Sequence, residues 1–263
     1  MFLSHFKMDE HPFCETPPSA WLLNDDRFQH AMAQLHLFEQ QANIALVTGQ
    51  TGVGKTSLIS LFRQSMPKNR YRPIYFHLTS MTPNAFLRLI VSQLGESPRL
   101  GKDRLFLQII DRIEKSETRT VLIFDEAHLI SSQSLTDLRL LTFQGADKAQ
   151  SVKVLFCGQD VLLEKLKRSV LSDLNNRIWI RCRIHALSKE QTLAYMDHRL
   201  HCAGAPEKTF TSDAKQIIHD YSGGVPRQIN NIATACLINA AANNVHQIDE
   251  DFVNLTMADF SLS

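Results

Sequence analysis

Residues Gly49-Gln50-Thr51-Gly52-Val53-Gly54-Lys55-Thr56, followed by Ser57, place three glycines, a lysine and a threonine in one short stretch. Glycines at 49, 52 and 54 let the backbone curl until its N–H groups face a phosphate chain. Lys55 then reaches the β/γ-phosphates and the Thr56 hydroxyl ligates Mg²⁺. The whole stretch from Gly49 through Gln50, Thr51, Gly52, Val53, Gly54, Lys55 and Thr56 to Ser57 is the candidate cofactor-binding loop. A second cluster completes the chemistry. Thr120-Val121-Leu122-Ile123-Phe124 leads into Asp125-Glu126, an apolar run ending in two carboxylates. Asp125 is suited to the Mg²⁺ shell and Glu126 to polarising an attacking water. Phosphoryl transfer asks for that kind of positioning and charge neutralisation more than for covalent chemistry.

The elements that must carry these residues follow from periodicity. Ile44-Ala45-Leu46-Val47 reads as a buried strand before the glycine loop, and a helix over 55–65 follows it. Phe28, Met32, Leu35 and Phe38 or His36 recur at helical spacing over 26–41. Further strands are predicted at Arg72–Leu78, 120–124, Lys153–Gly158 and Ile178–Ile184. Between them lie helices from Thr82-Pro83 to Gly95 and over 102–116, Leu135–Phe143 and 160–171. Strands alternating with helices predict an α/β fold with a parallel sheet covered on both faces. After Leu187 the pattern becomes helical only. Ser188 with Gln191 forms a capping box opening a helix to about His201. Later helices run from Thr211-Ser212-Asp213 to Ser222-Gly223-Gly224, from Pro226 to about Ala242, and from Asp249 to Met257. The expected organisation is an irregular N-terminal arm over 1–24, an ATP-site domain over 25–185 and a small all-helical lid over 186–263.

Composition restricts the partners. At 263 residues, with 44% hydrophobic and 21% charged residues, the chain reads as an ordinary soluble protein able to bury a full core. A net charge of +1 gives no global field for nucleic acid or membrane, although a local patch would serve. Arg99, Lys102 and Arg104 form one such cluster. The five cysteines lack CxxC spacing and read as reduced thiols of a cytoplasmic protein. No apolar run approaches the length of a membrane span and the start lacks a signal-peptide pattern. His198, His201 and Cys202, like His5, His11 and Cys14, lack structural-zinc spacing and read as packing or surface residues.

The ordered set of motifs resembles the AAA+ P-loop ATPases over nearly the whole chain, and more narrowly their ExeA-like branch. The resemblance rests on Phe6-x5-Pro12-Phe13-x3-Pro17, the glycine loop and Asp125-Glu126-Ala127-His128-Leu129. It continues through Leu138-Arg139-Leu140-Leu141-Thr142, Gly158-Gln159, Leu174-Asn175-Asn176-Arg177-Ile178 and Ser222-Gly223-Gly224-Val225-Pro226-Arg227. It implies an AAA+ fold with a C-terminal helical lid, ATP and Mg²⁺ as cofactors, and ATP hydrolysis. It also implies that Gln159 is the sensor that orients water with Glu126, although most of these ATPases carry Asn, Ser or Thr there. Arg227 takes the place of the lid arginine that senses the γ-phosphate. Arg177 takes that of a finger entering a neighbour's site, with Arg168, Arg181 and Arg183 as competitors. A finger in trans implies self-assembly as a head-to-tail ring or filament.

Two roles follow from that branch. The chain is similar to the TniB, IstB and TnsC regulators, which implies nucleotide-dependent assembly on double-stranded DNA and delivery of target DNA to a DDE transposase with other transposition proteins. This is the leading expectation, because the chain ends after the lid with no membrane segment or wall-binding domain. The alternative is a cytoplasmic ATPase of a type II secretion or type IV pilus assembly system.

Overall fold

The computed structural model describes residues 2–23, 25–142 and 152–261. In chain order its elements are α1 (Phe2–His5), α2 (Asp26–Gln41), β1 (Ile44–Thr48), α3 (Lys55–Ser65), β2 (Tyr71–His77), α4 (Pro83–Gln93) and α5 (Lys102–Glu114). Next come β3 (Arg119–Asp125), α6 (Ser132–Leu141), β4 (Lys153–Gly158), α7 (Val161–Leu166), α8 (Ser172–Arg177) and β5 (Ile180–Arg183). Four helices finish the chain: α9 (Lys189–Cys202), α10 (Ser212–Ser222), α11 (Pro226–Ala242) and α12 (Glu250–Ser261). The chain divides into two compact units. One holds Phe28–Gln50 and Lys55–Ile184; the other holds the residues up to Arg27, Thr51–Gly54 and everything from His185 onward.

The first unit is built on a five-stranded sheet of order β2-β3-β4-β1-β5. Every neighbouring pair is parallel, as strands joined by helical crossovers must be. β1, β3 and β4 are buried almost throughout, which is why they read as unbroken apolar runs rather than alternating ones. Phe76, Phe124 and Phe156 stack across three adjacent strands, with ring centroids 4.8 and 6.1 Å apart. Parallel register brings the C-terminal ends of β1, β3 and β4 to one edge of the sheet. Sites in open α/β sheets form at that edge.

Several element ends differ from the sequence reading. The helix expected from Leu135 starts at Ser132, because the Ser131 hydroxyl accepts the Ser134 N–H and caps it; its expected end at Phe143 lies outside the described residues. The single helix expected over 160–171 breaks at Arg168, whose backbone is extended (φ −63°, ψ 141°). A 3₁₀ turn at Ser169–Leu171 and the unpredicted α8 follow. Leu166, Leu171 and Leu174 all reach the core through that break.

In the second unit, α9–α12 share a core with the arm. Phe6, Met8 and Phe13 are buried with Met196, Leu200, Phe210, Ile229 and Leu237. Arg199, only 2% exposed, ties the arm down: its guanidinium donates to the Pro12 and Cys14 carbonyls at 2.6 and 3.1 Å. The predicted capping box at Ser188 and Gln191 is present. Gly224, in left-handed backbone (φ 70°), accepts the Leu187 N–H at its carbonyl (2.8 Å); a Cβ there would lie 2.1 Å from the Leu187 oxygen. Among the described residues, no helix is long and apolar enough to cross a membrane.

Candidate functional site

The glycine loop leaves β1 at Thr48 and enters α3 at Lys55. Gly49, Gly52 and Gly54 have φ of 154°, 84° and 103°. The last two lie where only glycine is unstrained, so the sequence itself selects the curl. Val53 is buried and anchors the loop, while Thr51 and Thr56 are exposed. The Lys55 ammonium turns back into the loop and donates to the Gly49 and Gln50 carbonyls at 3.0 and 2.8 Å.

Asp125 ends β3 fully buried. Its Oδ2 accepts the Thr56 hydroxyl at 2.8 Å and the Tyr75 hydroxyl at 2.8 Å, and its Oδ1 accepts the Glu126 N–H at 2.9 Å. Those donors satisfy a carboxylate that burial would otherwise penalise. Burial, the hydrogen bond to Asp125 and its charge together push the Tyr75 phenol well above its ordinary range. Burial beside Asp125 likewise raises the Cys157 thiol. Tyr75 was not foreseen. In the parallel register it pairs with Ile123 and His77 pairs with Asp125, so alternation along β2 is the signal that puts Tyr75 on the Asp125 face.

Glu126 adopts left-handed backbone (φ 56°, ψ 34°), a conformation that costs a non-glycine residue roughly 1–2 kcal/mol. It opens a 3₁₀ turn over Ala127–Leu129, in which its carbonyl accepts the Leu129 N–H at 2.9 Å. Its Oε2 lies 3.3 Å from His128 Nδ1, within ion-pair reach though not aligned as a hydrogen bond. Gly158, at the tip of β4, lets that strand close on the turn: a Cβ there would stand 3.1 Å from the His128 nitrogen. Gln159 follows directly and is half-buried. The ends of β3 and β4 therefore bring Asp125, Glu126 and Gln159 to one edge.

Arg227 belongs to the other compact unit, as does the loop tip Thr51–Gly54. There its N–H donates to the Gly52 carbonyl at 3.3 Å. A Cβ on Gly52 would meet the Arg227 Cβ at 2.8 Å and Val225 Cγ1 at 3.1 Å. Arg177 is placed differently. It ends α8, is exposed, and lines a groove of about 310 Å³ with Asn43, Ile44, Thr142 and Trp179. Asn43 and Ile44 lie at the start of β1, the end opposite the glycine loop, so Arg177 does not serve the loop of its own chain.

The basic cluster is partly neutralised. Lys102 pairs at 2.9 Å with the largely buried Asp137 and braces α5 against α6. Arg99 and Arg104 share a cleft with Glu96 and Asp111. The loop before α4 supplies that helix's cap, since the Thr82 hydroxyl accepts the Ala85 N–H at 3.3 Å.

The residues present fit a nucleotide. All three of the loop's glycines hold positive φ that opens its amides, a lysine stands inside the curl, and a hydroxyl meets a buried carboxylate as a divalent cation requires. The comparisons agree. A family model described as an AAA domain matches residues 38–166. Residues 38–166 therefore match an AAA domain, set in a chain with the AAA+ P-loop fold. General secretion pathway protein A of Aeromonas hydrophila is 31% identical over 267 residues, covering 99% of this chain and 49% of that protein. An uncharacterized HTH-type transcriptional regulator of Methanocaldococcus jannaschii is 22% identical and covers 84% of the chain. The chain spans 49% and 64% of these two relatives. Among solved structures, the ORC2 protein of Aeropyrum pernix superposes with a TM-score of 0.73 at 16% identity, over 95% of this chain and 71% of that one. Cdc6p from Pyrobaculum aerophilum gives 0.72 at 19%, over 92% and 68%. These structures share the AAA+ P-loop fold, and the fold implies nucleotide binding.

Proposed function

We propose that this chain is a Mg²⁺-dependent ATP hydrolase that works in an envelope secretion or pilus assembly system from the cytoplasmic side. The observation that carries the hydrolase reading is the convergence of Thr56, Asp125, Glu126 and Gln159 around the ends of β1, β3 and β4. In this reading, Lys55 leaves the Gly49 and Gln50 carbonyls for the β/γ-phosphates. Thr56 and Asp125 hold Mg²⁺, which when bound neutralises phosphate charge. Glu126, aided by Gln159, orients and polarises the attacking water. Arg227 reports the γ-phosphate to the helical unit, and Arg177 of a neighbouring copy completes the site. Residues 1–24, 25–185 and 186–263 then act as arm, ATP-site domain and lid.

The 31% identity to general secretion pathway protein A supports the secretion role over regulation of transposition, which reverses the order of the two roles implied by the family resemblance. DNA binding stays as a second reading on one observation: an Aeropyrum pernix ORC1 protein of similar fold has been solved in complex with DNA (TM-score 0.68, 15% identity). In that reading, ATP-driven assembly on duplex DNA hands a target to a DDE transposase.

Glu126→Gln decides the hydrolase reading. It should retain nucleotide binding and lose turnover by about 10²-fold or more, the contribution of a positioned general base. Lys55→Ala should lose binding itself. Turnover in Glu126→Gln equal to wild type sinks the assignment. Anisotropy of a labelled duplex with ATP analogue, ADP or no nucleotide separates the two roles: binding confined to the analogue state favours the second, and no binding in any state favours the first.

A further inference from the structure

Lys165 sits near the end of α7, the short helix that begins two residues after Gln159. Its ammonium does not point to solvent. It donates to the His128 carbonyl at 2.5 Å and to the Ile130 carbonyl at 2.8 Å, across 37 and 35 residues of chain. The His128 carbonyl belongs to the 3₁₀ turn that Glu126 opens, and the Ile130 carbonyl to the extended residue that caps it. A 3₁₀ turn of one cycle leaves its last carbonyls without partners, and Lys165 supplies a charged donor to the His128 carbonyl and to the Ile130 carbonyl just past the turn. Burial pulls the Lys165 ammonium below its usual pKa, as does the neighbouring Arg168.

Left-handed backbone at a non-glycine residue persists only where the surroundings over-determine it. Three contacts do so at Glu126. Asp125 accepts its N–H, Leu129 donates to its carbonyl, and β4 closes on the turn through Gly158. Lys165 is the fourth, and it ties the far side of the turn to the helix following Gln159 by hydrogen bonds, beside the apolar packing of Leu162 with Ala127 and Ile130 in one buried cluster. Loss of that tie leaves Glu126 attached to β3 but free to relax at Ala127–Ile130.

We infer that Lys165 is a positioning residue for Glu126: it clamps the 3₁₀ turn to α7 and so couples the water-polarising carboxylate to the segment that carries Gln159. This deepens the hydrolase reading and rests on it. Nothing in the mechanism requires Lys165 to touch nucleotide. Its loss should therefore fall on turnover and spare affinity.

The test uses the whole chain with Lys165→Met and Lys165→Arg. Three quantities are measured: steady-state ATP hydrolysis, binding of a fluorescent ATP analogue, and amide hydrogen exchange at Leu129 and Ile130. Lys165→Met should lower kcat on the order of tenfold or more, as small misplacements of catalytic groups do, with affinity held within about twofold. Exchange at Leu129 and Ile130 should accelerate while the β3 amides stay protected. Lys165→Arg keeps the charge and two donors and should restore most of kcat. Unchanged kcat and unchanged exchange in Lys165→Met overturn the inference. So does a parallel loss of kcat, affinity and protection throughout β3, which marks a general structural role. Wild-type chain that binds nucleotide without hydrolysing it refutes the hydrolase reading instead. Exchange at the two amides then still decides whether Lys165 clamps the turn.

Discussion

Arg199→Leu should detach the N-terminal arm from the helical unit, and its size can be worked from the contacts. Arg199 is 2% exposed. Its Nε donates to the Pro12 carbonyl at 2.6 Å, Nη2 to the Cys14 carbonyl at 3.1 Å and Nη1 to the Tyr195 hydroxyl at 3.2 Å. Leucine fills much of the volume and supplies no donor. A buried carbonyl (Pro12) and a half-buried one (Cys14) then lack partners, at about 1–3 kcal/mol for the buried one and less for the other. Removing a desolvated guanidinium gives part of that back. The expected net loss is roughly 2–5 kcal/mol. Arg199→Lys should fall between, because a single ammonium cannot span the fork of acceptors. Trp21 lies 5.8 Å from the guanidinium and is the arm's own probe. The chain holds two tryptophans, so a Trp179→Phe background isolates it. Urea unfolding followed by Trp21 fluorescence should show the midpoint lowered by about 1–3 M, given the usual slopes. A change of less than about 0.5 kcal/mol, the size of an ordinary surface substitution, would refute the view that Arg199 anchors the arm.

Gly224→Ala should destabilise the helical unit by about 2 kcal/mol or more, since the added methyl combines left-handed strain with overlap on the Leu187 carbonyl; the same Trp21 assay reads it, and a wild-type midpoint would contradict the contact. Lys153, 1% exposed, donates to the Phe38 and Ala42 carbonyls, and burial lowers its pKa from 10.5 to about 8. Between those values the unfolded chain binds the extra proton, so stability should rise with pH. Wild type should gain on Lys153→Met by on the order of 2 kcal/mol between about pH 7.5 and 9.5, and parallel pH curves for the two proteins would exclude this.

What the sequence disclosed follows from the range of the signal. Glycine spacing at 49, 52 and 54 and the apolar run into Asp125 are local patterns, and each fixes its own backbone. The alternation of strands and helices carried the sheet. Tyr75 and Lys165 carry no local signal that names their partners. Tyr75 acts through its neighbour in a parallel pair, and Lys165 reaches a turn 35 residues away. Arm docking was equally hidden, because Phe6, Phe13 and Arg199 meet only once α9 is packed. Lys102 shows the converse. Its charge invited a surface role, yet a buried acid on α6 claims it. Helix ends moved wherever a cap or an extended residue, Ser131 or Arg168, overrode periodicity.

Asp125 and Glu126 are chain neighbours with the same functional group, and the fold gives them opposite properties. Asp125 points into the sheet edge, wholly buried, and three donors fix both oxygens. That arrangement holds both carboxylate oxygens in fixed directions, as an ion-holding group needs. Glu126 turns the other way through its left-handed backbone. Its side chain retains 28% exposure, with His128 Nδ1 3.3 Å away. A group that polarises water has to reach water, so partial exposure belongs to its task. The separation depends on the backbone between them, because an extended Glu126 would continue β3 and lose the turn. The donors on Asp125 hold one side of that bend, and Gly158 with Lys165 holds the other. Two adjacent acids can thus divide holding from polarising only while the turn between β3 and α6 stays clamped, which makes its backbone as much a part of the site as either side chain.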